Sequence, residues 1–543
     1  MTEWWRGGVI YQVYPRSFQD SNGDGIGDLP GIIDRLDYIA GLGVDCIWLS
    51  PITQSPQADM GYDVSDYMEV DRLFGSLQDF DLLIEKAHAL GLKVIMDKVV
   101  SHTSDEHPWF QESSLNRDNS KADWYVWADA HPDGTPPNNW LSVFGGSAWE
   151  WHTGRRQYYL HNFLTSQPDL NFHNPAVQDA VLDVMRFWLD RGLDGFRLDT
   201  VNYYFHDARL RSNPPLKSLK GQPAINPYDM QSHKYSKSQP ENVDWLRRVR
   251  ALLDTYPGTT SVGEVGDDER GLELMKQYTS GSELLHMCYS FDFLGPKFSA
   301  EHFRSKVEAF FSKDEFGWPC WSFSNHDVIR HMTRWAPFSS NPADLSRQAA
   351  ALVLTLKGSA GLYQGEELGL QEADILYEEL TDPRGIRFWP ADKGRDGCRT
   401  PMPWQSSLPH AGFSTEKPWL PVKPAQMALA VDRQTDDPES TLNYYRKILA
   451  WRKSHPALVT GDIAFFKVAE PVLAFRRSAG NKDLICVFNL SGEARTITLS
   501  GVELALEPVS NRAELSGNTL ALGPNGFAVL PAPAGEGKVV YKG

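Results

Sequence analysis

The chain has 543 residues, room for roughly three to five domains of ordinary size, or fewer if one is a large α/β barrel. Lys and Arg number 53 against 70 Asp and Glu, and the resulting charge of −17 argues against nucleic acid or an anionic membrane as the main partner. With 41% hydrophobic and 23% charged residues the chain is neither disordered nor fibrous, and its 12% aromatic content asks for a use beyond folding.

An opening strand is read at Val9-Ile-Tyr-Gln-Val13. The loop Asp20-Ser-Asn-Gly-Asp-Gly-Ile-Gly-Asp28 then places oxygen donors from Asp20, Asn22, Asp24, the Ile26 carbonyl and Asp28 in the order of an EF-hand's first part, with Gly25 at the turn. Gly31 stands where the bidentate Glu would be, so this is no EF-hand. Three times an amphipathic helix ends at a Gly and runs into a short apolar strand. The first has Leu29, Ile32, Ile33 and Leu36 before Gly43 and the strand Cys46–Ser50; the second has Phe80, Leu83, Ile84 and Ala87 before Gly91 and Lys93–Asp97. The third has Val181, Val184, Met185, Trp188 and Leu189 before Gly192 and Gly195–Asp199. Further strands are expected at Thr260–Glu264, Met287–Phe291, Cys320–Ser324 and Gly361–Tyr363, making eight.

Eight αβ steps predict an α/β fold, a (β/α)₈ TIM barrel over 1–102 and 170–460, although a doubly wound parallel sheet gives the same local signals. Residues 103–169 follow the third strand without a prompt helix and are rich in Trp, Pro, Gly and Asn, the mark of an inserted subdomain. Two polar stretches, 204–242 and 367–404, are candidate lids over the same face. From 461 to 543 the pattern turns to alternating strands with a Gly523-Pro-Asn-Gly526 turn, an antiparallel β-sandwich domain. Met1 to Arg6 carry no secretory signal, no run of ~18 apolar residues occurs, and five scattered cysteines suit a reducing compartment. The expectation is a cytoplasmic protein with neither membrane nor nucleic-acid partners.

Polar groups gather at the C-terminal ends of the predicted strands, where barrel enzymes place their sites: Asp97 and His102, Arg197 and Asp199, Glu264, and Asn325-His-Asp327. Alternation puts Arg197 and Asp199 on one face, so the guanidinium favours an ionised, nucleophilic Asp199. Glu264, without a basic neighbour in sequence, is placed to stay protonated as an acid. This is the carboxylate pair of a retaining glycosidase.

These segments resemble the conserved regions of the α-amylase superfamily, glycoside hydrolase family 13. The matches are Asp97-Lys-Val-Val-Ser-His102, Gly195-Phe-Arg-Leu-Asp199, Val262-Gly-Glu264 and Ser324-Asn-His-Asp327. Val9 to Phe18, Gln167-Pro-Asp-Leu-Asn171 and Arg399-Thr-Pro-Met-Pro-Trp404 look like the oligo-1,6-glucosidase and α-glucosidase branch.

The resemblance implies Asp199 as nucleophile, Glu264 as acid/base and Asp327 as the carboxylate that steadies the transition state. Arg197, His102 and His326 belong with the substrate-binding set. Asp59 and Tyr62 look like the hydroxyl-binding acid and stacking aromatic, with Arg399 pairing with Asp59 to close the pocket beyond one terminal glucose. Phe144 and Phe163 are candidates for its aromatic wall. Thr200, following the nucleophile, accompanies α-1,4 preference in relatives, where Val accompanies α-1,6.

In the branch it resembles, the Asp20–Asp28 loop holds a structural Ca²⁺, with Mg²⁺ an alternative. Ser101 departs from the Asn that ligates a second metal in calcium-dependent amylases, which argues against that site here. No organic cofactor is expected. The implied activity is an exo-acting retaining α-glucosidase on short, maltose-like α-glucosides, with transfer to sugar or alcohol acceptors. A sucrose-active hydrolase or isomerase of the same superfamily shares the motifs. The non-catalytic barrels of amino-acid transporter subunits have lost acids that this chain keeps.

Overall fold

The computed structural model describes residues 3–216, 224–312, 317–503 and 505–543. Met1, Thr2 and the part of the 204–242 stretch spanning 217–223 lie outside the described residues.

Eight strands form one parallel sheet: β1 (Val9–Val13), β2 (Cys46–Leu49), β3 (Lys93–Lys98), β4 (Gly195–Leu198), β5 (Thr260–Val265), β6 (Met287–Ser290), β7 (Cys320–Ser322) and β8 (Ser359–Tyr363). Their order is β6-β5-β4-β3-β2-β1-β8-β7, with a parallel bridge between Cys288 and Pro319 joining the two ends. A cyclic order with β1 beside β8 is a closed barrel; a doubly wound sheet would reverse direction from its first strand. The strands are apolar and almost entirely buried because side chains fill the barrel on one face and helices cover the other.

The helices follow their sequence signals. Leu77–Ala89 starts at a Ser76/Asp79 capping box and buries Phe80, Leu83, Ile84 and Ala87. Pro175–Asp190 is capped by the Asn174 side chain and buries Val181, Val184, Met185, Trp188 and Leu189. Gly43 and Gly192, at φ of 92°, make the left-handed exits that L-residues avoid. The first predicted helix is in fact two, Leu29–Asp34 and Leu36–Leu42. Arg35 breaks the ladder, freeing the Ile33 carbonyl to accept from Lys86 Nζ at 2.8 Å while Arg35 Nε donates to Gln19 Oε1.

Between β3 and Pro175 the chain builds a helix, Pro108–Leu115, and a small antiparallel sheet of Trp127–Ala128, Gln157–Leu160 and Trp149–His152. Its aromatics pack mostly on one another: Phe110 stacks on Trp127, Trp109 meets Trp124 edge-on at 5.0 Å, and Trp140 stacks on Trp149. These rings hold the insert together, because a unit this small has little other apolar surface to bury.

The C-terminal strands form one antiparallel sheet whose long strand Thr519–Pro533 serves two halves. Its far end pairs with Lys482–Asn489 and its start with Arg495–Ser500 and Asn511–Ser516. The Gly523–Gly526 turn expected from sequence is therefore a bend inside a strand, with Asn525 at φ 48° and a register shift opposite it. One face, through Phe475, Cys486, Phe488 and Phe527, joins the barrel's core, and the other, through Ile485, Val487, Ile497 and Leu520, builds its own. The layering expected of a sandwich is made by a single bent sheet. Buried Arg477 ties it to the barrel, donating to the Leu356 carbonyl at 2.8 Å and the Gly461 carbonyl at 3.0 Å. All five cysteines are buried and free, and among the described residues no helix is long and apolar enough to cross a membrane.

Candidate active site

A cavity of about 240 Å³ opens at the C-terminal ends of the barrel strands. Asp199, just past β4, and Glu264, on β5, face it because neighbouring parallel strands deliver same-register residues to one rim. Beneath them lies Arg197, wholly buried. Its Nη1 donates to Asp97 Oδ1 at 2.6 Å and Asp199 Oδ1 at 2.7 Å, and its Nη2 sits 2.5 Å from Glu264 Oε1. Glu264 is thus not free of basic neighbours: the guanidinium expected beside Asp199 alone grips both acids. Sequence separation hid this, since β5 follows β4 by more than 60 residues yet lies next to it in the barrel. The Tyr289 hydroxyl donates to Glu264 Oε1 at 2.8 Å, and the Thr200 N–H to Glu264 Oε2 at 3.1 Å.

Burial pushes the Asp199 and Glu264 carboxyls up to about 7, with Arg197 pulling both the other way; Asp97 and Asp327 add to the rise at Asp199, and Asp199 and Asp327 to that at Glu264. Two interacting acids in this range shed their protons in separate steps, so near neutrality the pair shares one proton. Asp327 differs. Burial works to raise its carboxyl, but the guanidiniums of Arg395 and Arg399 hold it well below the usual range and ionised. Thr200 has a φ of 42°, a strained conformation for a β-branched residue. It puts the Thr200 hydroxyl 3.3 Å from Asp199 Oδ2 and 3.1 Å from Ser101 Oγ.

One side of the pocket wall is built from ion pairs. Asp59 Oδ1 accepts from Arg395 Nη2 at 2.8 Å, and the same guanidinium reaches Asp382 at 2.7 Å and Asp327 at 3.2 Å. The expected Asp59–Arg399 pair does not form. Arg399 is wholly buried, donating to Asp327 Oδ1 at 3.0 Å and the His326 carbonyl at 2.7 Å. One short turn, Asp396–Cys398, separates the two arginines and turns only the first toward Asp59.

Tyr62 lies flat against His326, the planes 7° apart. Its hydroxyl donates to Asp97 Oδ2 at 3.0 Å and meets His326 Nε2, while Gln12 Nε2 donates to His326 Nδ1 at 2.8 Å. Burial keeps His326 neutral, and with both nitrogens engaged it braces Tyr62 from behind, outside the cavity wall. His102 does line the cavity. Burial pushes it down to about 4, and it donates to the Tyr62 carbonyl while accepting from Ser101.

Phe144 and Phe163 both form cavity wall, meeting edge-on at 6.1 Å, with Arg395 over the Phe144 face at 5.2 Å. The insert's tryptophans do not reach the pocket, so its aromatic richness serves mainly its own core. Of the remaining wall, Tyr203, Tyr228, Lys237, Asp268, Phe291 and Arg384 were not foreseen. Tyr228, Lys237 and Arg384 come from the two stretches read only as polar lids, whose composition carries no periodic or motif signal, and Tyr203, Asp268 and Phe291 follow the ends of β4, β5 and β6.

The Asp20–Asp28 loop folds on its own carboxylates. Asp20 accepts from the N–H groups of Asn22, Gly23 and Gly25, Asp24 from Ile26, and Asp28 from Ser21 and Gly31. The loop is pinned to residues 413–419 by Asp20 N–H to the Phe413 carbonyl and Trp419 N–H to the Gly25 carbonyl. Among the described residues none of its three aspartates has a Lys or Arg partner, and no three acidic, His or Cys side chains converge as a metal cluster.

Residues 12–461 match the alpha amylase catalytic domain family. A protein of Rhizobium meliloti (strain 1021) named Probable alpha-glucosidase is 57% identical over 91% of this chain and 90% of its own length. An Oligo-1,6-glucosidase of Heyndrickxia coagulans is 38% identical over 90% of this chain and 93% of its own. Among solved structures, the alpha-glucosyl transfer enzyme XgtA superposes with a TM-score of 0.95 at 54% identity, covering 98% of this chain and all of that one.

Proposed function

The chain belongs to the alpha-amylase family, and from that premise we propose that it is an exo-acting α-glucosidase that works by retention on short, maltose-like α-glucosides. One observation carries the reading: a single guanidinium, Arg197, holds Asp199 and Glu264 side by side beneath a pocket lined by the Asp59–Arg395 ion pair, which in this reading closes its far end. Two carboxyls gripped by one planar fork favour the ~5–5.5 Å separation of retaining enzymes over the ~6.5–9.5 Å that leaves room for a water in inverting ones.

In this mechanism Glu264, carrying the shared proton, protonates the glycosidic oxygen. Asp199 Oδ2 attacks the anomeric carbon while Oδ1 stays with Arg197. Asp327, kept ionised, faces the developing oxocarbenium charge in a site where water is scarce and fixed charge acts strongly. Neutral His102 and braced Tyr62 orient the ring. Glu264, now ionised, takes a proton from water or from another hydroxyl, which displaces Asp199 and releases or transfers the glucose. The relative whose printed name is an α-glucosyl transfer enzyme supports transfer as part of the activity.

Thr200 supports α-1,4 preference. A Val there keeps the shape but loses the hydroxyl that touches Asp199 and Ser101. The loop of Asp20, Asn22, Asp24, the Ile26 carbonyl and Asp28 offers hard oxygen donors without a cationic side-chain partner, which suits a structural Ca²⁺ or Mg²⁺ that would tie it to residues 413–419. The decisive experiment is nitrophenol release from p-nitrophenyl α-glucoside, with product anomer followed by NMR. The proposal predicts α-glucose as first product and at least a 10³-fold loss in Asp199→Asn; an undiminished variant or a β-product removes it. Initial rates on maltose, isomaltose, sucrose and trehalose then fix the linkage.

A further inference from the structure

Ser101 departs from the Asn of the resembled sequence motif, and the mechanism above leaves its hydroxyl without a role. The residue is 1% exposed and lies behind the cavity wall, yet it is hydrogen-bonded to two groups that form the wall, His102 and Thr200. Its backbone is fixed by the returning end of the insert, since the Ser101 carbonyl accepts from the Leu170 N–H at 3.0 Å.

The direction of each bond follows from where the protons must sit. His102 Nε2 lies 2.8 Å from the Tyr62 carbonyl, which can only accept, so Nε2 carries a proton. Burial keeps the ring neutral, which leaves Nδ1 an acceptor, and the Ser101 hydroxyl 2.8 Å away donates to it. Ser101 has no second proton. Toward Thr200, at 3.1 Å, its oxygen can therefore only accept. The single proton of the Thr200 hydroxyl thus has two acceptors within reach, Ser101 Oγ at 3.1 Å and Asp199 Oδ2 at 3.3 Å. Thr200 is held between them. Its β-branched side chain has few rotamers, its φ is 42°, and its N–H is engaged to Glu264 Oε2 at 3.1 Å.

We infer that Ser101 is a positioning residue for the nucleophile, the alternative acceptor that takes over the Thr200 hydrogen bond as Asp199 Oδ2 attacks. The inference rests on the retaining mechanism proposed above. Before attack, Oδ2 carries carboxylate charge and is the better acceptor. Its electron pair then forms the bond to the anomeric carbon, while the glycosidic C–O bond breaks and the leaving oxygen keeps that pair and takes the proton of Glu264. The charge on Oδ2 is gone. An ester oxygen accepts weakly, so without Ser101 the buried Thr200 hydroxyl would lose its partner in the course of the reaction. With Ser101 present the proton stays on Thr200 and swings to the second oxygen, and it swings back when the ester is cleaved. Ser101 in this way favours the transition state and the glucosyl ester over the free enzyme without touching the sugar.

The test is a double-variant cycle on Ser101→Ala and Thr200→Val, read as kcat/KM for p-nitrophenyl α-glucoside, which reports formation of the glucosyl ester. Ser101→Ala should lower kcat/KM about tenfold, with the inhibition constant for glucose changed by less than about twofold. Ser101→Thr, which keeps a hydroxyl, should recover most of that loss. In the Thr200→Val background Ser101→Ala should lower kcat/KM by less than about twofold, because no hydroxyl remains to swing. An equal loss in both backgrounds, or a matching weakening of glucose binding, would mean that Ser101 acts through His102 and overturns the inference; so does wild-type kcat/KM in Ser101→Ala. Should Ser101→Ala fail to fold, Ser101→Cys, close in shape but a weak acceptor, decides by the same cycle. A wild type that releases no nitrophenol, or an undiminished Asp199→Asn, overturns instead the glucosidase reading beneath it.

Discussion

Replacing Arg395 with Leu removes the cation shared by Asp59, Asp382 and Asp327 at 2.8, 2.7 and 3.2 Å in a side chain only 12% exposed. Breaking a buried pair from one side leaves uncompensated charge, which costs about 3–5 kcal/mol. Asp327 keeps Arg399, so most of that loss falls on Asp59 and Asp382. Chemical denaturation should show it, and the double variant Asp59→Asn with Arg395→Leu should be more stable than Arg395→Leu alone, because the stranded Asp59 charge is gone. Opening the pocket's end also changes specificity: kcat/KM for maltotetraose relative to maltose should rise about tenfold, equal to ~1.4 kcal/mol of differential transition-state binding. An unchanged chain-length preference in Arg395→Leu, with opening produced instead by Arg399→Leu, would refute this account of how the pocket closes.

The rate of glucoside cleavage should follow a bell in pH centred near 7, because the acid limb ionises the nucleophile and the alkaline limb removes the proton that Glu264 donates, both carboxyls lying near 7; a plateau from pH 5 to 9 would contradict it. Glu264 is raised from an ordinary value near 4.5, so its burial favours the folded state below that value and the advantage is lost as pH rises through about 7. Glu264→Gln should therefore gain more in Tm at pH 8 than at pH 5, and equal gains would count against it. Thr200→Val should raise the isomaltose-to-maltose rate ratio several-fold; a fall or no change removes the linkage argument. Calcium in EDTA-treated protein should raise Tm by a few degrees, and Asp24→Asn should abolish that rise, whereas a Tm blind to the ion would leave the loop a plain turn.

Much was legible before any coordinates. The barrel strands could be placed because each is a short apolar run after a Gly-ended amphipathic helix, and the candidate catalytic acids because strand ends line one rim. The bent strand through Gly523–Gly526 was not, since Gly and Asn supply the same left-handed torsions to a reversal and to a bulge. His326 was expected at the sugar, but stacking on Tyr62 and two engaged nitrogens put it behind the wall.

The amino-acid order by itself determined the fold class and which carboxylates meet at the barrel mouth, because strand periodicity and βα connection are local and short-ranged. Only the tertiary structure decided the partners of those carboxylates. Asp59 and Arg395 stand 336 positions apart, Lys237, in a stretch with no periodic pattern, reaches Tyr203 34 positions away, and Arg197 reaches Glu264 on the neighbouring strand. Ion pairs and hydrogen bonds act over a few ångströms in space, and sequence distance says nothing about which loops a closed barrel will bring within that reach.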